Sequence, residues 1–348
     1  MVDKEQKTHI QAVDLLRIIS ILAVIFIHTT TRTLEVTSFD LPRFSWTLFL
    51  NQVSRFAVPL FFMISGFVLE LNYPFHTSYL SFLKKRASRI FIPYVFWSLI
   101  YYFFVYKQHT AGFLSVLTDG SASYQLYFIP TLLIFYLIFP LVHRYYCFIS
   151  NKWILLTLGL IQIIFLYSDY YLHSLALFYP VSIALLNYYL FVLGAVASHH
   201  QQRLMTIFRK GKFFLAPIVL FLMGYVFFEG ESRFLKNHNY LSFYSQWRPS
   251  IFLYTVLLAG LLYYLFNKAE AKLLMFKNLS KLSFFVFFVH VIVLEVLWQL
   301  VGVYFYQSYP FLIGQVWYDP LFFVLTAFFS FLIAYLFHKI PLLAKITG

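Results

Sequence analysis

The chain has 348 residues, of which 61% are hydrophobic and only 11% are charged, and its formal net charge is +13. A soluble domain carries roughly 25% charged residues, so the composition excludes an ordinary globular protein and predicts one that crosses a membrane several times. The basic excess does not indicate nucleic-acid binding, because the cations lie in short loops between apolar runs. The single cysteine, Cys147, excludes an intramolecular disulfide and a cysteine-based metal site.

Ten apolar stretches bounded by polar clusters predict an all-α bundle of about ten transmembrane helices, forming one membrane-embedded domain over residues 1–348. The predicted spans are 12–31, 46–71, 90–106, 126–142, 153–171, 177–198, 213–228, 250–266, 282–304 and 320–338. If the amino terminus is cytoplasmic, 18 of the 26 lysines and arginines fall in cytoplasmic segments, six in external segments and two within spans. This bias predicts that both termini are cytoplasmic.

The first span carries three ionisable side chains, Asp14, Arg17 and His28. A charge deep in hydrocarbon costs at least ~2.5–3.5 kcal/mol, so each such residue needs a partner or a function. Arg17 and His28 are eleven residues apart, which is three helical turns, and His28 is therefore ~16 Å further along the same stripe. Two interpretations remain open: an Asp14–Arg17 ion pair at the membrane surface with a hydrogen-bonded core histidine, or a functional stripe with all three residues in catalysis.

In the second span, Asn51 and Arg55 are one turn apart and share a face. Both are candidate substrate-binding residues. Arg55 is suited to bind a substrate phosphate, and it is equally suited to a structural ion pair with an acidic side chain such as Glu295.

Four cations follow the second span: Lys84, Lys85, Arg86 and Arg89. Arg86 and Arg89 are three residues apart, so on a helix they project on one side as a two-pronged anion site. Arginine binds phosphate in a bidentate fork, and the pair is therefore predicted to bind a phosphate-bearing ligand. The two lysines are interpreted as cytoplasmic anchors of the span.

In the ninth span, His290 lies eight residues from the predicted cytoplasmic end, and Glu295 is rotated away from it by ~140°. Both are candidate substrate-binding residues, although a core histidine is the more ordinary interpretation of His290. The sequence contains no glycine-rich phosphate loop, zinc-ligand spacing or nucleophile elbow, and no metal is predicted.

The segment VDLLRIISILAVIFIH, with ten residues between Arg17 and His28, resembles the first span of the acyltransferase-3 family of integral membrane acyltransferases. SRFAVPLFFMISGFVL, KKRASRIFIPY and LSKLSFFVFFVH also resemble that family, in the same order, as do YQLYFIPTLLIFYLIFPL and NYYLFVLGAVA in the middle spans. The stretch from Phe284 to Phe288 departs from the family's usual glycine-containing sequence, which leaves the packing around His290 open.

The resemblance implies an O-acetyltransferase that moves an acyl group, commonly acetyl from acetyl-CoA, to hydroxyls of cell-surface or lipid-linked glycans. His28 then takes the place of the essential histidine, Arg17 that of its partner, and Arg86 and Arg89 the arginine pair linked to the acyl-CoA donor. The expected form lacks a fused extracytoplasmic domain and lies in a bacterial plasma membrane, with lipids but no nucleic acid as further partners.

A second class of function remains open from the residues alone. In a transporter or flippase for a glycan or lipid-linked intermediate, Arg55, His290 and Glu295 would line the pathway.

Overall fold

A computed structural model describes residues 10–37, 42–73, 78–106, 111–172, 177–237, 245–268, 277–313 and 315–340. Over these ranges the chain is 87% helical and has no strand, which confirms the predicted all-α membrane bundle. Eight helical segments of the described ranges are long and apolar enough to cross a membrane, and a bent pair of helices counts as a ninth.

The helices are α1 (Gln11–Val36), α2 (Pro42–Val53), α3 (Ala57–Leu71), α4 (Tyr79–Ile100), α5 (Phe113–Asp119), α6 (Phe128–Arg144), α7 (Tyr146–Ile149), α8 (Lys152–Leu172), α9 (Tyr179–Leu185), α10 (Tyr188–His199), α11 (Gln201–Asn237), α12 (Pro249–Lys268), α13 (Lys277–Leu297), α14 (Val303–Ser308) and α15 (Tyr318–His338). One π-helical turn, Tyr101–Val105, continues α4, and another, Trp298–Gly302, joins α13 to α14.

Each of the ten predicted spans falls on a helix, but two of the spans are broken. The second span is divided into α2 and α3 by a non-helical turn at residues 54–56. Pro59 lacks the N–H that would bond to the Arg55 carbonyl, so the helical ladder is weakened at this point. The sixth span is divided into α9 and α10, which meet at an angle of 49°. α6, which carries the fourth span, has 17 residues and is shorter than the other candidates.

α1 lies in the centre of the bundle, where it packs against α2, α3, α12, α13 and α15. α8 and α11 are largely exposed and form part of the outer surface. The side chains of α1 are therefore in a position to line internal cavities rather than to face lipid.

α3 and α10 cross in close contact through two glycines. A Cβ at Gly66 would overlap the carbonyl of Phe191, and a Cβ at Gly194 would overlap the carbonyl of Met63. This reciprocal contact brings the two backbones together, as small residues do at helix crossings in membranes.

Candidate active site

Two cavities open within the bundle, and α1 contributes side chains to both. The first, called here the arginine cavity, has a volume of about 720 Å³ and is lined by Asp14, Arg17, Arg86 and Arg89 among others. The second, called here the histidine cavity, has a volume of about 510 Å³ and is lined by His28, Arg55 and Glu295 among others. Both volumes lie in the range of ordinary ligand sites.

The arginine cavity is strongly cationic. Among the described residues that line it, four side chains are cations (Arg17, Arg86, Arg89 and Lys281) and one is a carboxylate, Asp14. Arg86 is half-buried and Arg89 is exposed. The structure thus brings the two arginines of α4 to the same cavity as Arg17 of α1, and the excess of positive charge suits a polyanionic ligand.

Asp14 and Arg17 make the ion pair that the sequence offered as one interpretation, with Arg17 Nη1 3.3 Å from Asp14 Oδ1. The same carboxylate oxygen accepts a hydrogen bond of 2.7 Å from Ser280 Oγ, which ties α1 to α13. Arg17 also lines the cavity, so its guanidinium can keep the ion pair with Asp14 and still be accessible to a ligand. Asp14 therefore fixes the position of Arg17 and of α13.

His28 lies in the wall of the histidine cavity and is half-buried. Its ring is 4.6 Å, between centroids, from the ring of Tyr124 and 5.4 Å from the ring of His290, on which it stacks. The imidazole thus contacts two further rings while it lines the cavity, and these contacts restrict its orientation.

His290 lies behind His28 and is fully buried. Its Nδ1 is 3.1 Å from the Val286 carbonyl oxygen one turn earlier on α13. Because that oxygen can only accept, Nδ1 carries the proton. The structure therefore places His290 as support for the His28 ring rather than in the cavity wall.

Asn51 is fully buried and holds two features of the site together. Its Nδ2 donates to the Ile27 carbonyl and to the hydroxyls of Thr30 and Thr31 on α1, at 3.0–3.1 Å. Its Oδ1 accepts from Arg55 Nε at 3.0 Å and from Arg55 Nη2 at 2.6 Å. Asn51 thus positions Arg55 and the part of α1 that carries His28, and of the two residues it is Arg55 that lines the cavity, at the α2–α3 break.

Glu295 lines the histidine cavity and pairs with Arg32, whose Nη2 is 2.5 Å from Glu295 Oε2. Arg32 also reaches Glu35 at 3.1 Å. Arg32 follows the predicted first span (12–31), whereas α1 continues to Val36 and places this side chain in the wall of the cavity. His28 and Arg32 are four residues apart, and residues at this spacing share one face of a helix. A first span predicted to extend beyond Thr31 would therefore have placed Arg32 on the same face as His28.

Aromatic residues from distant segments complete the wall of the histidine cavity. The rings of Tyr179 and Trp247 lie 5.8 Å and 6.2 Å from that of Tyr127, each close to edge-on, and Gln246 Nε2 donates to the Tyr127 hydroxyl. The sequence did not predict this group, because Tyr127 and Tyr179 carry no charge that marks them within their spans, and Gln246 and Trp247 lie in a connecting segment without periodicity. Over the described ranges, no cluster of three His, Cys, Asp or Glu residues is arranged to hold a metal ion.

A helical membrane bundle with a cationic cavity and a histidine cavity on the same central helix defines the class: a polytopic membrane protein with two internal cavities. The sequence matches the acyltransferase domain family over residues 10–339, and the chain belongs to this acyltransferase-3 family. The resemblance of the sequence to this family is thus confirmed.

A curated relative in Bacillus subtilis (strain 168) bears the name "Putative membrane-bound acyltransferase YfiQ" and is 29% identical over 154 residues. The aligned part spans 42% of this chain and 42% of that relative. No solved structure matches the chain.

Proposed function

We propose that the protein is an O-acyltransferase that takes an acyl group from acyl-CoA bound in the arginine cavity. Acetyl is the expected acyl group. The acceptor is a hydroxyl of a cell-surface or lipid-linked glycan in the histidine cavity. The observation that carries the proposal is the course of α1, which supplies Arg17 to one cavity and His28 to the other, ~16 Å further along the helix. Family membership favours this enzyme over a carrier.

The charge of the arginine cavity supports the assignment of the donor. Acyl-CoA carries its phosphates at one end and its thioester at the other, joined by an extended pantetheine arm. Arg86 and Arg89 suit the phosphates, since guanidinium groups bind phosphate oxygens in pairs. The bias of lysine and arginine along the sequence supports a cytoplasmic opening for this cavity in a bacterial plasma membrane, on the side where acyl-CoA is made.

The lining of the histidine cavity supports the assignment of the acceptor. Aromatic rings such as Tyr124 and Trp247 offer flat apolar surfaces for the C–H faces of a sugar. Gln125, Gln246 and Glu295 offer hydrogen-bonding groups for its hydroxyls. A mostly apolar site with a few polar groups that fix orientation is the usual design of a small-molecule site.

In the proposed reaction, the His28 imidazole accepts the proton of the acceptor hydroxyl as the hydroxyl oxygen attacks the thioester carbonyl carbon. The new carbon–oxygen bond forms and the carbon–sulfur bond breaks. The imidazolium returns its proton to the departing CoA sulfur, so the products are an ester and the free CoA thiol. Arg55, held by Asn51, stabilises the negative charge that develops on the carbonyl oxygen.

Replacement of His28 by Ala tests the proposal. We expect a fall in acyl transfer by roughly 10²–10⁴-fold, the usual contribution of a general base, with membrane insertion unchanged. The measurement is release of CoA thiol by the purified protein with acetyl-CoA and a glycan acceptor. His200→Ala is the matched control, because that histidine follows α10 and lies in neither cavity wall.

Full activity of His28→Ala would remove the proposed base. A covalent acyl group on His28, seen as an added mass before the acceptor is supplied, would replace direct transfer by a relay through the histidine. Movement of a glycan across vesicles without acyl-CoA would instead support a carrier.

A further inference from the structure

Two phenyl rings lie where the arginine cavity and the histidine cavity meet. Phe128, at the start of α6, and Phe287, in the middle of α13, line both cavities. Their ring centroids are 5.5 Å apart, and the side chains are 6% and 5% exposed. The two rings are therefore in contact, and both residues contribute to the wall of each cavity.

On two neighbouring helices, residues that line the arginine cavity lie within two turns of residues that line the histidine cavity. On α1, Arg17 lines the arginine cavity and Val24, two turns on, lines the histidine cavity. On α3, Val58 lines the histidine cavity and Phe61, less than one turn on, lines the arginine cavity. The boundary between the cavities is thus at most two turns thick along α1 and less than one turn along α3, and the contact between Phe128 and Phe287 lies in it.

Each ring is supported by a further aromatic contact. Phe128 packs against Phe62 with a centroid distance of 4.8 Å. Phe287 lies 6.3 Å from His290, whose ring stacks on His28. A group that passes between Phe128 and Phe287 therefore arrives beside the histidine pair.

We propose that Phe128 and Phe287 are the residues that determine what passes from the arginine cavity to the histidine cavity. This proposal rests on the proposed function, and it adds which residues select the groups that can move between the two cavities. The rings admit a slender, uncharged chain that ends in a small acyl group when they turn apart. They hold back the phosphates of the donor on one side and the acceptor on the other.

The passage can be tested without any assay of activity, by the access of a charged, membrane-impermeant thiol reagent. Cys147→Ser removes the single native cysteine, and Val58→Cys places a thiol on the histidine-cavity side of the rings. We expect labelling from only one face of sealed vesicles. When Phe287→Ala is added, we expect labelling from the opposite face to rise at least tenfold.

Phe285→Ala is the matched control. It removes the same atoms two residues away on α13, from a buried side chain that lines the arginine cavity alone. Phe128→Ala is the second variant, in case Phe287→Ala does not accumulate in the membrane. Unchanged sidedness in both variants, or an equal rise with Phe285→Ala, would overturn the proposal.

The same variants separate this inference from the proposed function. If both hold, Phe287→Ala raises the rate with pivaloyl-CoA relative to acetyl-CoA at least tenfold, because the wider passage admits a branched acyl group, and Phe285→Ala does not. If labelling changes but no variant transfers acyl groups, the passage stands and the acyltransferase proposal fails. An unchanged ratio of the two donors in an active Phe287→Ala enzyme contradicts the passage.

Discussion

The four cations of α4 differ in what they contact, although they lie within six residues of one another. Lys84 and Lys85 are exposed, whereas Arg86 is half-buried, lines the arginine cavity and has its guanidinium 5.9 Å from the centroid of the Phe82 ring. A guanidinium over an aromatic face is held in orientation as well as attracted. Arg86 is thus the member of the group whose guanidinium is held in orientation in the wall of the arginine cavity.

Replacement of Arg86 by Ala should raise the KM for acyl-CoA at least tenfold and change kcat little, because the phosphates are distant from the reacting carbon. Arg86→Lys should recover part of the loss, since lysine keeps the charge but not the bidentate fork. Initial rates over a range of acetyl-CoA concentrations measure both constants, with Lys84→Ala as the control. A fall in kcat at unchanged KM would contradict the assignment.

At the scale of the helix, the crossing of α3 and α10 positions α3, the second of the two helices in the second span, relative to the rest of the bundle. Gly66 and Gly194 each face the backbone of the opposite helix, so neither has room for a side chain. The break before α3 sets Arg55 in the wall of the histidine cavity. The glycine contact thus fixes the helix that begins just after this arginine.

Gly66→Ala should lower the free energy of unfolding by about 1–3 kcal/mol, because the added methyl group forces two backbones apart. Gly224→Ala on α11 is the matched control: a Cβ there meets no atom within 4 Å, and the change should be neutral or slightly stabilising. Thermal unfolding of the purified protein in detergent compares the two. Equal unfolding temperatures for Gly66→Ala and the native protein would show that the helices are not in close contact.

At the scale of the whole molecule, the two cavities lie towards opposite ends of the bundle. The bias of lysine and arginine predicts which end is cytoplasmic. The helix ends near Arg17, Arg86 and Lys281 belong to segments predicted to be cytoplasmic, and those near Arg32 and Trp247 to segments predicted to be external. The donor and acceptor assignments both depend on this orientation.

Cys147 allows the orientation to be measured in the native sequence. It is exposed in α7, within a segment predicted to be cytoplasmic. We expect an impermeant thiol reagent to label it in inside-out vesicles and not in intact cells. In a Cys147→Ser background, Ser121→Cys, which is exposed between α5 and α6, should give the reverse pattern. Labelling of Cys147 in intact cells would invert the proposed roles of the cavities.

The sequence predicted the spans and the stripe of α1, because hydropathy and helical spacing are local properties. It also predicted that Arg86 and Arg89 would face one site, since they are three residues apart. It did not predict that Glu295 pairs with Arg32, or that Tyr124 and Trp247 lie near His28. Those contacts join residues far apart in the chain, and they depend on how helices pack and end, which no single segment encodes.

The contact between Phe128 and Phe287 has an electrical consequence. If the two cavities open to opposite faces of the membrane, the insulating layer between them narrows to about the depth of these rings, and the transmembrane voltage falls mainly there. A unit charge that crossed this layer would gain or lose about 2.3 kcal/mol per 100 mV. An acetyl thioester is neutral and crosses at no such cost, so transfer of acetyl should proceed equally in energised and de-energised cells.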